Sequence, residues 1–302
     1  MRVSTQSFYE QSRSAMGAQQ SNLLRVQQQL GAGTKILAPS DDPLGATRAL
    51  AVSQSIALNA QYSASRGQAT QSLTMEENAL QSVTTVLQNV KGLIVQAGNG
   101  TLTDADRAAI AVTLQASLDQ LQGLANTDDG NGQYLFAGFK SGSPPFVDDG
   151  NGGIKYAGDQ GQRLLQVDVV RQMAGTDDGR TIFQADGNDV FKAMKDVIVA
   201  LQVTGGDPDV RAIALATANK DITAAHDNVL TVRASVGSRL QELDALEATG
   251  DTRMVYDKSY LSDLQDLDYA SAIADFYQRQ TALQASQQTF VRIQQIALFN
   301  YL

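Results

Sequence analysis

Apolar residues recur every seven positions at Leu73, Leu80, Leu87 and Ile94, with Val83 and Val90 between them. They do so again at Leu215, Ile222, Val229, Val236 and Leu243, filled in by Ala218, Ala225, Val232 and Leu246. A seven-residue repeat keeps one stripe of a helix turned toward a partner helix, so each run predicts a long coiled-coil helix and each suits the other. Between the two runs, residues 128–189 turn rich in Gly and Asp. The pattern predicts a mainly α fold: long antiparallel coiled-coil helices from both termini, with a small β-rich inserted domain at mid-chain.

The chain ends carry weaker versions of the same code. Tyr9, Ser12, Met16, Gln19, Leu23, Val26 and Leu30 step by threes and fours at the N-terminus; Phe276, Gln280, Leu283, Gln287, Phe290 and Gln294 do so at the C-terminus, closed by Ala297, Leu298 and Tyr301. A stripe that alternates apolar residues with Gln buries too little surface to hold an isolated helix, so these seams ask for partner helices, in the same chain or from neighbouring subunits. Gln in a seam weakens a closed pair but can hydrogen-bond laterally when many copies pack together. The expectation is an assembly seam, with 1–35 and 270–302 largely unfolded in the monomer and folding on assembly. An ordinary intramolecular coiled coil is the competing reading.

Along the chain, a first helix spans 5–30, and the stretch 31–43 ends it and starts another. Gly31 or Gly33 can take the left-handed conformation, and Asp41 or Asp42 can cap the next helix ahead of Pro43, so Gly33, Ser40, Asp41, Asp42 and Pro43 read as a hinge and cap. A helix over 44–97 follows, roughly 80 Å long if unbroken, with Gly67 its weakest point. After Asn99-Gly100 a shorter helix starts at Asp104 and buries Ile110, Leu114, Leu118, Leu121 and Ala125. Strand-like runs occupy 133–139, 153–157, 163–170 and 181–184. Helices are expected over 189–202, 209–248 and, after a break at Gly250, 253–302. The domain division is 1–40 with 266–302 as a terminal assembly layer, 41–132 with 187–265 as a coiled-coil rod, and 133–186 as an outer β-rich insert.

Several function classes fall away. A net charge of −9 argues against nonspecific binding to nucleic acid or anionic membrane, which need clustered Lys and Arg. Residues 1–70 hold six basic and three acidic side chains, so any electropositive surface lies near the N-terminus. No cysteine is present, which removes disulfides, thiolate metal sites and thiol catalysis. The start of the sequence lacks a secretory apolar stretch, and no run approaches the roughly 18 apolar residues of a membrane span; export would proceed without a cleaved signal peptide, and membrane insertion is not expected. The paired acids at 41–42, 128–129, 148–149 and 177–178 read as turn and cap residues, and none completes a calcium loop. His226 stands alone, with no metal-sharing partner, and no nucleophile elbow or phosphate loop occurs. No catalytic, cofactor or metal residues are assigned, and Tyr134, Phe136, Phe139, Phe146 and Tyr156 are expected in the core of the insert.

Four stretches resemble the flagellin superfamily, and within it most closely the hook-associated protein 3 family. Met1-Arg-Val-Ser-Thr5 with Gly33-Thr-Lys-Ile-Leu-Ala-Pro-Ser-Asp-Asp-Pro43 is similar to the N-terminal signature. Thr127-Asp-Asp-Gly-Asn-Gly-Gln-Tyr-Leu-Phe-Ala-Gly138 with Pro144-Pro-Phe146, and Tyr156-Ala-Gly-Asp159 with Arg163, resemble the entry into the outer domain. Asp268-Tyr-Ala-Ser-Ala-Ile-Ala274, Leu283-Gln-Ala285 and Leu298-Phe-Asn-Tyr-Leu302 resemble the C-terminal assembly helix. The resemblance spans nearly the whole chain, with 173–184 unmatched. It implies a non-enzymatic flagellar subunit, exported through the flagellar type III apparatus and placed outside the cell. Its implied partners are hook-associated protein 1 on one side, flagellin on the other, neighbouring copies of itself, and a cytoplasmic export chaperone on the C-terminal helix. A short flagellin is the alternative within the superfamily; a coiled-coil binding or signalling module, forming a stable dimer through its Leu/Val heptads, is the alternative outside it.

Overall fold

The computed structural model describes residues 2–150 and 152–299. It is mainly α, with long antiparallel helices from both termini and a small β-rich segment at mid-chain. The helices are α1 (Arg2–Ala32), α2 (Pro43–Ala97), α3 (Asp104–Ala125), the short α4 (Gly179–Phe183), α5 (Val190–Gln202), α6 (Pro208–Gln265) and α7 (Tyr269–Phe299). The strands are β1 (Phe146–Asp148), β2 (Ile154–Tyr156), β3 (Leu164–Asp168) and β4 (Arg171–Ala174). The chain divides into two compact units: Met1–Leu58 with Thr252–Leu302, and Asn59–Asp251.

The second unit holds nearly all of the buried core. Leu73, Leu80, Leu87 and Ile94 of α2 meet Leu215, Ile222, Val229, Val236 and Leu243 of α6, all buried. Cross-links run the register backwards: Arg233 reaches Glu77 at 2.6 Å and Gln88 lies 3.5 Å from His226, so α2 and α6 are antiparallel. Both flanks are filled by the amphipathic α3 and α5, which bury Ile110, Leu114, Leu118 and Leu121, and Val190, Phe191, Met194, Val197 and Leu201. Helix α3 starts on a capping box, with Thr103 and Asp106 satisfying each other's backbone N–H groups, and Asp189 caps α5 through the amides of Phe191 and Lys192.

Two antiparallel hairpins, β1–β2 and β3–β4, form the β-rich segment. Phe146 pairs with Tyr156 and Leu165 with Met173, and a bulge interrupts the second hairpin between Gln166 and Asp168. Phe136, Phe146, Phe183 and Phe191 stack with ring centroids 5.0 to 5.8 Å apart, which welds the segment to α5.

Three sequence expectations need correction. Residues 181–184 are not a strand: Asp178 accepts from the Thr181 amide and starts α4, whose Ile182 and Phe183 enter the core. Residues 133–139 form no strand either, but a turn-rich loop with one isolated bridge, between Asp128 and Tyr134, and further backbone hydrogen bonds to Thr127, Ser141 and Asp159; its Phe139 is exposed instead of buried. Gly250 does not break α6, which runs on to Gln265. It is the next position of the 215–243 heptad, and the space a side chain would take is filled by Arg66 and Asn59. Asn59 donates to the Gly250 carbonyl at 2.6 Å, and buried Arg66 pairs with Glu247 and donates to the Val167 carbonyl at 3.0 Å. Gly67 sits inside an unbroken α2.

A second polar cluster interrupts the α2 seam. Glu76, fully buried, accepts from the Asp177 amide, and Asp177 forms an ion pair with Arg239 of α6. Burial, reinforced by the Asp177 charge, pushes the Glu76 carboxyl up to about 8, against a smaller opposing pull from Arg239. In the unfolded chain it titrates near 4.5. Folding therefore favours the protonated form: the contribution is fully present below pH 4.5 and is lost as pH rises through about 8. Urea unfolding of the second unit should show stability from this group falling over that window, and Glu76→Gln should flatten the slope; an unchanged slope would remove Glu76 as its source. Leu87→Ala, in the centre of the same seam, should cost about 2–5 kcal/mol in the same assay.

Candidate assembly interface

The first unit is built around two helix breaks that face each other. Helix α1 ends where Gly33 turns into the left-handed region at φ 72°, and α6 gives way to α7 across 266–268. The Lys35 amide donates to the Gln265 carbonyl at 2.8 Å and the Leu267 amide to the Gly33 carbonyl at 3.1 Å, so the breaks zip together as a short antiparallel bridge between Thr34 and Asp266. Tyr269 covers Gly33, its Oη 2.8 Å from where a Cβ would stand. Asp41 and Asp42 divide the remaining work. Asp42 caps α2 by accepting from the Gly45 amide at 2.9 Å, with Pro43 in the first turn, while Asp41 gathers the Leu37 and Ala38 amides and shapes the loop. Ser40 lies exposed in the turn just ahead of them.

From that junction α1 and α7 pack against each other. Tyr9 meets Phe290 edge-on, ring centroids 5.9 Å apart. On α1 the sequence-read positions Tyr9, Met16, Gln19, Leu23 and Leu30 are half-buried and Val26 is buried. On α7, Phe276, Gln280, Leu283 and Phe290 are half-buried, while Gln287 and Gln294 stand exposed. The Leu298 side chain and Tyr301 lie outside the described residues. The inward line of α7 is instead Ala272, Phe276, Arg279, Leu283, Ser286, Phe290 and Ile293, a 4-3 repeat in which every position is at least half-covered. Sequence reading missed Arg279 and Ser286 because neither carries an apolar signal, and Ala272 and Ile293 because they fall outside the repeat it followed. Its own list took alternate members of two neighbouring repeats.

Where the sequence anticipated unfolded terminal segments, α1 and α7 are helical and paired over their described residues. The pairing is loose. A groove of about 320 Å³ opens beside it, lined by Ser12, Ala15, Met16, Ala285, Thr289 and Ile293 among others, and a second of about 300 Å³ lies by Gln19, Asn22 and Arg279. Of the first unit's described apolar side chains, only Val26, Ala49 and Ala272 are buried. Among the described residues no cluster of His, Asp or Glu could hold a metal ion, and no helix is long and apolar enough to cross a membrane.

Residues 3–141 match the model of the bacterial flagellin N-terminal helical region. Flagellar hook-associated protein 3 of Salmonella typhimurium is 40% identical over 316 aligned residues, covering 99% of each chain. This chain belongs to the hook-associated protein 3 family. A flagellar hook-associated protein structure from Vibrio parahaemolyticus, 22% identical, superposes with a TM-score of 0.68 over 75% of this chain and all of that one. The flagellar junction protein FlgL of Legionella pneumophila, 18% identical, gives 0.61 over 72% of this chain and 99% of that one. At those identities the two structures bear on the fold alone.

The stretches that carried the resemblance to the hook-associated protein 3 family have structural work in this chain. The Tyr156 hydroxyl donates toward the Asp159 and Phe136 carbonyls, at 2.7 and 3.0 Å, and burial raises its pKa. The Asp159 carboxylate collects the Phe139 and Gly161 amides, which holds its own pKa down. Gly138, at φ 68°, leaves room for Asp159 to approach. The Tyr134–Gly138 and Tyr156–Asp159 motifs are thus the two halves of one lock. Asn126 completes it by bonding both the amide and the carbonyl of Phe146.

Gly33→Ala should cost about 1–2 kcal/mol through its left-handed backbone, read as earlier protease cleavage in the first unit. Half-exposed Tyr269 can swing aside, so the loss should persist in a Tyr269→Ala background; rescue by that second change would assign the cost to the ring contact instead.

Proposed function

We propose that this chain is the structural subunit joining hook-associated protein 1 to the flagellin filament. The observation that supports the reading is the 40% identity with Salmonella hook-associated protein 3 over 99% of both chains, a span that takes in both terminal helices and the mid-chain lock. The role is that of a scaffold, not a catalyst. In this reading 1–40 and 266–302 form the assembly layer, 41–132 and 187–265 the rod, and 133–186 the outer insert. Two ends of different character let mechanically distinct neighbours be joined through one protein.

The physical logic of delivery is the same. A subunit passed through a narrow export channel must unfold readily and refold outside, and terminal helices with almost no buried apolar side chains oppose unfolding little. A cytoplasmic chaperone on the C-terminal helix would shield its uncovered face before export, and the destination is the extracellular flagellum. Deleting the gene should leave cells with hooks that lack filaments and flagellin shed into the medium, restored by the intact chain. Filaments of normal length in the deletion strain would exclude the junction role. Long homopolymers grown by the purified protein on filament seeds would favour a flagellin.

A further inference from the structure

Asparagine is followed by glycine three times, at Asn99–Gly100, Asn131–Gly132 and Asn151–Gly152. A glycine carries no side chain to shield its backbone nitrogen, so that nitrogen can approach the preceding side-chain amide closely. Asn99 and Asn131, the two of these asparagines that lie among the described residues, are both exposed. They are held in opposite ways.

Asn99 opens the turn that joins α2 to α3. Its backbone carbonyl accepts from the Leu102 amide at 3.2 Å. Its side-chain Oδ1 accepts from the Thr101 amide at 3.1 Å and from the Thr101 hydroxyl at 3.0 Å. A backbone N–H can only donate, so the atom facing it is the amide oxygen and not the nitrogen. The side-chain carbonyl is therefore folded back over the following peptide with two donors aimed at its oxygen, the arrangement that stabilises an oxyanion. Among the described residues nothing accepts from the Gly100 amide, and the space where a side chain would stand is open.

Asn131 is the reverse case. Its backbone amide and that of Gln133 donate to one oxygen of the Asp129 carboxylate, at 2.9 and 3.1 Å, and its Nδ2 lies 3.5 Å from the other. Its Oδ1 receives no hydrogen bond among the described residues. A carboxylate beside the side chain opposes the negative charge that builds there when the amide carbon is attacked.

We propose that Asn99 is a site of spontaneous covalent modification, converting to aspartyl and isoaspartyl residues ahead of Asn131. The Gly100 nitrogen loses its proton to solvent hydroxide and attacks the Asn99 Cγ, forming the N–Cγ bond and passing charge to Oδ1, where Thr101 receives it. Collapse breaks the Cγ–Nδ2 bond, and Nδ2 takes a proton from water and leaves as ammonia. Water then opens the five-membered imide. Cleavage of the new N–Cγ bond gives the aspartyl product, and cleavage of the original peptide bond gives the isoaspartyl one. One water enters, one ammonia leaves, and nothing is oxidised or reduced. Either product sets a carboxylate two residues past the end of α2, where the helix dipole opposes it. The isoaspartyl form also adds a carbon to the main chain inside the turn that presents half-buried Leu102 to the core.

The test keeps the purified full-length chain in mildly alkaline buffer at physiological temperature. Samples taken over time are digested, and mass spectrometry follows the replacement of each side-chain NH2 by OH, while an isoaspartyl methyltransferase counts the isoaspartyl product. Asn99 should convert at least roughly fivefold faster than Asn131, the scale of one or two hydrogen bonds in the barrier. Thr101→Val should slow Asn99 by roughly two- to tenfold and leave Asn131 as it was, whereas Thr101→Ser, which keeps the hydroxyl, should hold the native rate. Gly100→Ala should slow Asn99 by hindering the attacking nitrogen, with the urea midpoint in place because the added methyl meets open space. Conversion at Asn99 no faster than at Asn131 overturns the proposal, and so does a Thr101→Val chain whose Asn99 rate is unchanged or higher. Misfolding of Thr101→Val would show in its urea midpoint, and the comparison of the two asparagines in the unsubstituted chain decides the matter without it.

Discussion

A helix that repeats its apolar residues every seven positions can cover them only with another helix, and how much it gains depends on what fills the repeat. In the second unit the repeat of α2 and α6 is Leu, Ile and Val, fully buried, with α3 and α5 closing its flanks. In the first unit the same geometry mixes Leu, Val and Ile with Gln, Ser, Ala, Arg and single aromatics, most of them only half-buried, and the helices touch beside open grooves. At roughly 25 cal/mol per Å² of apolar surface, that difference in filling gives the second unit much the larger stabilisation from burial.

Polar residues inside the strong seam give it register. Asn59, Arg66 and Glu76 occupy the α2 stripe, and each has a specific answer from α6 or the β-rich segment: the Gly250 carbonyl, Glu247, and the Asp177–Arg239 pair. A one-heptad slip would keep Leu against Val but would bury these groups unpaired, a cost of several kcal/mol for the Arg66 charge alone. Breaking one partner should therefore be worse than replacing both.

The long helices, their antiparallel pairing and the location of the β-rich segment were legible because they are written in apolar period alone. What escaped was written in the absence of a side chain or in a neighbour's. Gly250 looks like a helix break until Arg66 is seen in its place, and Thr181–Gln184 looks like a strand until Asp178 caps it. The glutamines of α7 were legible as polar members of a repeat, but not that Gln287 and Gln294 lie outside its covered line. A helix of 3.6 residues per turn presents two adjacent 4-3 repeats, and only burial separates Phe276, Leu283 and Phe290 from Gln287 and Gln294.

The central claim is that seam filling sets an order of stability, strong in the second unit and conditional in α1 and α7. Hydrogen exchange of the dilute monomer, resolved by segment, measures that order. Amides of α2 over 73–94 and of α6 over 215–243 should exchange at least roughly a hundredfold more slowly than those of α1 and α7, as expected for core helices against weakly packed ones. Equal protection of all four would contradict the account.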